Sequence, residues 1–307
     1  MKNQPNSVNK LIVFYLMPLF IILILLFTTA CSSGPKRQML ITTIQKNCRD
    51  SIETANSYIL SGNYTQAEEF LDIARRQALS IDNYDLLLSV TLAHVSLYLS
   101  YNPPEIEKAQ VYVKQAYALV NDTNKIKESE LLCAMAEARI LIAQNAVQEN
   151  FKTITDKIDN AKKVFKDNPY NHAQCDSILG DIYRLSGKYK EADKIYNEAA
   201  KLFTDQMYLS EIGITWYKIA QNRSQSGNKK GALEALNTAI YYDRCAENSM
   251  ALGADYYIKA VILLKEPSSD KSHLEARKAL LHSAEIYNAA NMPELANKSL
   301  ELLATLE

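Results

Sequence analysis

One stretch, residues 179–203, constrains the fold of this chain more than any other. Its sequence, LGDIYRLSGKYKEADKIYNEAAKLF, has small and aromatic residues at helical spacing on both sides of Gly187. Glycine adopts the left-handed backbone conformation that ends a helix and reverses the chain without steric cost. The stretch therefore predicts two antiparallel helices. Because one such pair cannot bury its apolar face alone, further pairs must pack against it and build a solenoid.

The same spacing returns, with drift, from about residue 51 to the C-terminus. Within residues 179–203 a small residue, an aromatic residue, a turn residue and two more small residues follow in that order, at Gly180, Tyr183, Gly187, Ala192 and Ala199. The corresponding positions of three other copies are Ala55, Tyr58, Gly62, Ala67 and Ala74; Trp216, Gly227, Ala232 and Ala239; and Ala284, Tyr287, Asn291 and Ala296. Small residues let paired helices cross closely, and aromatic residues fill the space around them.

These residues resemble the tetratricopeptide repeat, whose pattern is W-x2-L-G-x2-Y, then A-x3-F, then P. The resemblance covers about residues 40–307 and implies an all-α, right-handed superhelix. Turn signals every 15–25 residues or so predict about six antiparallel helix pairs plus a C-terminal capping helix. Between the clear copies the pattern blurs, and the Ala-rich residues 128–150 are expected to form one long helix.

The N-terminus carries a targeting signal. Lys2 and Lys10 flank a polar start, residues 11–27 are an apolar run interrupted by one proline, and residues 28–30, TTA, lead to Cys31. This order is typical of a secretory signal peptide. The cysteine directly after a small residue resembles the lipobox of bacterial lipoproteins, although threonine stands three positions before it, where leucine is usual.

The lipobox resemblance implies cleavage before Cys31 and acylation of that cysteine. Ser32 after the cysteine, rather than aspartate, resembles the proteobacterial signal for transfer to the outer membrane. A retained signal anchor is an alternative, because residues 11–30 could just span a hydrocarbon core, which needs about 20 apolar residues; simple secretion is another. We divide the chain into a lipoprotein signal peptide, a lipidated tether and a tetratricopeptide-like solenoid, at residues 1–30, 31–39 and 40–307.

Composition and motifs argue against several classes of function. Acids and bases are mixed throughout, with a net charge of −1, so no basic stripe favours nucleic acid as a partner. The histidines lack metal-ligand spacing, and the chain has no nucleophile elbow and no dinucleotide fingerprint. We therefore expect no catalytic activity, no metal and no cofactor. The disulfide state of four further cysteines stays open, at Cys48, Cys133, Cys175 and Cys245.

A helical-repeat array offers a concave groove lined by the first helix of each pair. By register with the repeat, seven residues are predicted to face this groove and bind a partner: Asn56, Ser177, Asp181, Arg184, Tyr217, Gln221 and Gln225. Arg184 and Tyr217 are the best candidates, because arginine and tyrosine are frequent binding hot spots. Members of the family that hold a peptide C-terminus use lysines and asparagines here. Ser177 and Asp181 occupy two of the matching places and argue against that mode.

The sequence thus favours a lipid-anchored scaffold on the periplasmic face of a bacterial membrane, the outer rather than the inner. Its groove would hold a protein or peptide during an envelope assembly, such as outer-membrane protein, pilus or secretion, or cell-wall machinery. The alternative is an accessory ligand-binding component beside a solute transporter. An apolar, closed channel would favour the accessory component, and a wide polar groove would favour the scaffold. The identity of the partner and the oligomeric state stay open.

Overall fold

The computed structural model describes residues 43–265 and 269–306, and the predictions for the signal peptide, Cys31 and the whole tether lie outside these residues. Thirteen α-helices and no strand occur in the described part of the chain. The helices are α1 Thr43–Leu60, α2 Tyr64–Ser80, α3 Tyr84–Ser100, α4 Ile106–Leu119, α5 Ile126–Ala143, α6 Val147–Val164, α7 Pro169–Leu185, α8 Tyr189–Asp205, α9 Leu209–Gln225, α10 Lys229–Cys245, α11 Ser249–Leu264, α12 Asp270–Ala289 and α13 Pro293–Ala304.

Each helix packs against the next one in the chain, so α1 to α12 form six pairs and α13 follows them. The predicted all-α, tetratricopeptide-like superhelix with six pairs and a terminal helix is confirmed. One prediction in the blurred region is wrong. Residues 128–150 are not one helix, because the chain turns between Ala143 and Val147, where Asn145 has a φ of 55°. Asparagine tolerates this left-handed conformation better than most residues do.

The turn residue explains why only some repeats are clear in the sequence. Gly62, Gly187 and Gly227 have φ values between 74° and 84°, as the pattern predicted. Five other turns use the left-handed conformation at a residue other than glycine, with φ between 50° and 58°, at Asp82, Asn145, Met207, Glu247 and Asn291. These eight turns therefore share nearly the same backbone conformation, while their sequence signal varies.

Small residues at the helix crossings are buried, as their positions in the repeat require. Gly180 on α7 faces Tyr196 on α8 so closely that a Cβ at residue 180 would overlap the aromatic ring. Tyr196 is fully buried, and Ala192 and Ala199 on the same helix are buried as well. The core runs in this way from α1 to α13, as a series of apolar clusters between neighbouring helices.

The first helix pair also contacts the sixth. The Tyr64 hydroxyl on α2 lies 3.9 Å from Met250 Sδ on α11. Met292, just before α13, completes the contact, since its Cε lies 3.2 Å from the position that a Cβ would take at Gly62. The two ends of the described superhelix therefore meet. None of the described helices is long and apolar enough to span a membrane.

Candidate functional site

Two adjoining cavities lie on the inner face of the superhelix, and we refer to them together as the inner channel. Cavity A has a volume of about 420 Å³ and cavity B about 410 Å³. Both are bordered by Ile59, Leu60 and Ser100. The first helices of all six pairs contribute to their walls, namely α1, α3, α5, α7, α9 and α11. Cavity A faces the contact between the first and sixth pairs, and cavity B faces the third pair.

The predicted groove residues lie in or beside this channel. Four of them line cavity A: Asp181, Arg184, Tyr217 and Gln221. Asn56 lines cavity B. The other two are linked to channel residues by hydrogen bonds, since Ser177 Oγ accepts from Lys218 Nζ at 2.9 Å and Gln225 Oε1 accepts from Arg184 Nη1 at 3.3 Å. The repeat register thus brings side chains from α1, α7 and α9 to one inner face.

Asp181 is the centre of a polar network at the wall of cavity A. Its Oδ1 accepts a hydrogen bond from the Tyr196 hydroxyl at 2.6 Å, and its Oδ2 lies 2.6 Å from Lys218 Nζ. Arg184 Nη2 lies 3.6 Å from Oδ1. Burial opposes the charge on Arg184, but Tyr196 and Asp181 outweigh it and raise the pKa of the guanidinium. Asp181 and Arg184 therefore stabilise the wall as well as facing the cavity.

Tyr217 presents a neutral phenol to the same cavity. Burial, assisted by the negative charge of Asp255, raises the pKa of Tyr217 to about 12. A phenol with an apolar ring and an uncharged hydroxyl can pack against a ligand and hydrogen-bond to it.

Two further carboxyl groups at cavity A were not predicted from the sequence. Asp243 on α10 and Asp255 on α11 are almost completely buried, and apart from each other their carboxyl groups have no hydrogen-bond partner among the described residues. Asp243 packs against Gly213, where any side chain would overlap its carboxyl group. Burial raises the pKa of both carboxyl groups, and the charge of Asp243 raises that of Asp255 further. The two groups are close enough to share a proton.

Cavity B contains an arginine that was not predicted from the sequence either. Arg139 on α5 is half-buried, and its Nη2 donates to Gln174 Oε1 at 2.5 Å. Burial lowers the pKa of its guanidinium, an effect that Tyr170, Cys175 and Asp181 partly oppose. Glu211 lines the same cavity and accepts a hydrogen bond from the Tyr170 hydroxyl at 3.1 Å.

The histidines and cysteines of the described residues form no cluster with other ligand side chains. No group of three or more His, Cys, Asp or Glu side chains could hold a metal ion there. His94 is buried, with Nδ1 3.0 Å from the carbonyl oxygen of Val90 and its ring stacked on Tyr112. The four cysteines considered for a disulfide are all free thiols, and only Cys245 is exposed.

Comparison with known proteins identifies the fold but no family. No family model matches this chain, and no curated protein matches it. The crystal structure of a Rap protein complexed with Competence and Sporulation Factor is similar, with a TM-score of 0.56, 15% identity, and coverage of 86% of this chain and 77% of that chain. Aspartyl phosphate phosphatase F from Bacillus subtilis gives a TM-score of 0.50, 13% identity, and coverage of 86% and 71%. At these identities the likeness establishes a shared helical-repeat fold.

Proposed function

We propose that this protein is a lipid-anchored scaffold of the bacterial envelope, and that its inner channel holds an extended segment of a partner protein. One observation carries the proposal: the first helices of all six pairs line two adjoining cavities with a mixture of apolar, amide and charged side chains. A continuous inner face of this kind suits an extended chain, whose side chains would occupy successive cavities while its backbone bonds to polar groups.

The composition of the walls supports a peptide-like ligand. Cavity A combines aliphatic residues such as Ile59 and Ile214 with the phenol of Tyr217 and the amide of Gln221. Binding sites commonly combine such an apolar lining with a few polar groups that orient the ligand. The similar Rap structure was solved with Competence and Sporulation Factor bound, which supports an interaction role for a superhelix of this type. The proposed role is binding and requires no chemical reaction.

The anchor is proposed from the sequence alone. Acylation of Cys31 would attach the protein to the periplasmic face of the outer membrane, because several acyl chains hold a protein at a bilayer far more firmly than one. The tether would place the solenoid close to the membrane surface.

Site-specific photo-crosslinking in cells tests the role of the channel. Leu60 is partly exposed and borders both cavities, so a benzoylphenylalanine at residue 60 would face any bound segment. Leu79 on α2 is a matched control, because it is an exposed leucine of the same pair that lines neither cavity. We expect a discrete protein adduct from residue 60 and none from residue 79. Equal adducts from both positions, or no adduct from residue 60, would contradict the proposal.

One observation favours the second candidate, an accessory ligand-binding component beside a solute transporter. The contact of Tyr64 with Met250 joins the two ends of the superhelix beside cavity A, so residues from both ends line that cavity. Native mass spectrometry of protein purified from envelopes separates the candidates. A low-mass ligand in the mass spectrum, together with the absence of a protein adduct from residue 60, would favour the accessory component.

A further inference from the structure

We propose that Arg139 binds a carboxylate of the partner segment, an inference that rests on the proposed function and specifies the chemistry of its ligand. The sequence did not single out this residue, and no carboxylate among the described residues forms an ion pair with it.

The guanidinium of Arg139 has hydrogen-bonding capacity that its described neighbours leave unused. It has five N–H donors, and it donates to the Gln174 amide oxygen. Within the described residues no carboxylate lies within 4.0 Å of it, although Glu211 borders the same cavity. A half-buried cation with no carboxylate in direct contact is costly, and one that faces a cavity can recover this cost when an anion binds.

The chemistry of cavity B selects among anions. A planar guanidinium matches a carboxylate or a phosphate in bidentate geometry. Glu211 in the same wall adds a negative charge, which repels a dianionic phosphate more strongly than a carboxylate with a single charge. The side-chain amides of Asn56, Asn171 and Gln174 border the cavity and can donate to the same oxygens. These groups together favour a carboxylate.

A partner can supply a carboxylate from an aspartate or glutamate side chain, or from its chain terminus. Arg139 would recognise both sources in the same way, and substitutions in the partner distinguish them. Neither uses Ser177 or Asp181, which lie at cavity A or beside it.

The test repeats the residue 60 crosslinking in three arginine variants. Arg139→Gln removes the charge, Arg139→Lys keeps the charge but loses the planar fork, and Arg76→Gln removes an exposed arginine on α2. We expect Arg139→Gln to lower the adduct yield about tenfold or more, because the neutral amide cannot form the charged hydrogen bonds to the carboxylate. Arg139→Lys should lower the yield less, and Arg76→Gln should leave it unchanged. The melting temperature of each variant is measured in parallel.

A second arm does not depend on the folding of the Arg139 variants. Peptide mapping of the adduct identifies the captured segment, and each of its acidic side chains is then changed to the amide in the partner. Loss of the wild-type adduct on one such change assigns the carboxylate to that side chain; loss only on extending the partner's C-terminus assigns it to the terminus. If residue 60 captures a partner but neither Arg139→Gln nor any change in the partner lowers the yield, the Arg139 assignment is wrong while the proposed function stands. If residue 60 captures nothing, the proposed function itself fails.

Discussion

The aromatic ring of Tyr196 lies against the backbone of Gly180, in the space that a side chain at residue 180 would need. The hydroxyl group of the same tyrosine donates a hydrogen bond of 2.6 Å to Asp181 Oδ1. One tyrosine thus joins the closest helix crossing of the fourth pair to the polar wall of cavity A. The packing of the repeat and the geometry of the channel are coupled at this point.

Gly180→Ala should therefore destabilise the protein strongly for so small a change. The added methyl group must displace the fully buried ring of Tyr196, and overpacking of this kind costs about 1–3 kcal/mol. Gly187→Ala is the control for loss of a glycine without overpacking. No neighbouring heavy atom lies within 4 Å of the place that a Cβ would take at Gly187, so only the φ of 74° disfavours a side chain there. Urea denaturation measures both. A larger loss for Gly187→Ala than for Gly180→Ala would contradict this account.

The Asp243–Asp255 pair should make stability depend on pH. Burial raises the pKa of both groups in the folded protein above the ordinary value of 3.8. A raised folded pKa contributes stability that is present at low pH and is lost as the pH rises through the raised values. Tyr217 and Tyr287 near Asp255 do not change this sign, because burial also raises their pKa values and keeps them neutral.

We expect the free energy of unfolding to fall by about 1–3 kcal/mol from about pH 5 to about pH 9 through this pair. Asp255→Asn keeps the shape and removes the second charge, so its stability should change less over the same range. Thermal melts of wild type and variant at several pH values measure the difference. Parallel pH profiles for the two proteins would show that the pair does not share a proton in the folded state.

Asp181→Ala should destabilise the wall of cavity A rather than only weaken binding. The substitution removes the acceptor of Tyr196 and leaves Lys218 and Arg184 partly buried without their counter-charge. Breaking such a network typically costs about 2–4 kcal/mol. Gln221→Ala is the comparison, since it changes the same cavity without breaking an ion pair. Chemical denaturation should show a loss near zero for Gln221→Ala and a large loss for Asp181→Ala.

The repeat architecture could be predicted because the pairing of helices depends on the spacing of small, aromatic and turn residues that are close in sequence. Ala192 and Ala199 mark a crossing, and Gly187 marks a turn, within one short stretch of sequence. The break at Asn145 was missed because its turn uses the same backbone conformation without glycine. A search for Asn, Asp or Gly at the expected turn positions would have located it.

The channel could be predicted only in part, because it depends on contacts between distant residues. Register with the repeat placed Asp181 and Tyr217 on the inner face. The carboxyl pair of Asp243 and Asp255 joins two helices, and no motif links residues with that spacing. Arg139 lies in a helix where the repeat pattern is weak, so no register indicated the direction of its side chain.

Cys31→Ala should prevent acylation if the N-terminal prediction is right. The variant should remain as an uncleaved precursor or leave the membrane fraction, because the thiol is the site of lipid attachment. Detergent phase partitioning and intact-mass analysis measure the outcome, with Cys48→Ala as a control for loss of a buried thiol. Unchanged mass and fractionation of Cys31→Ala would exclude the lipoprotein assignment.

We predict that the contact between the two ends of the superhelix holds them together. Met250 and Met292 contact the first helix pair at Gly62 and Tyr64. Substitution of either methionine by alanine would remove most of its van der Waals contacts with the first pair. In the double variant Met250→Ala/Met292→Ala we expect the ends to separate, since neighbouring pairs alone do not hold them together. Small-angle scattering should then show a larger radius of gyration, and α1 should exchange its amide hydrogens faster. Met207→Ala is the matched control, because that side chain is 70% exposed and lies outside both cavities. If the double variant has the same radius of gyration as Met207→Ala, the curvature of the superhelix is enough to keep its ends together. The two methionines would then only fill the space between the ends.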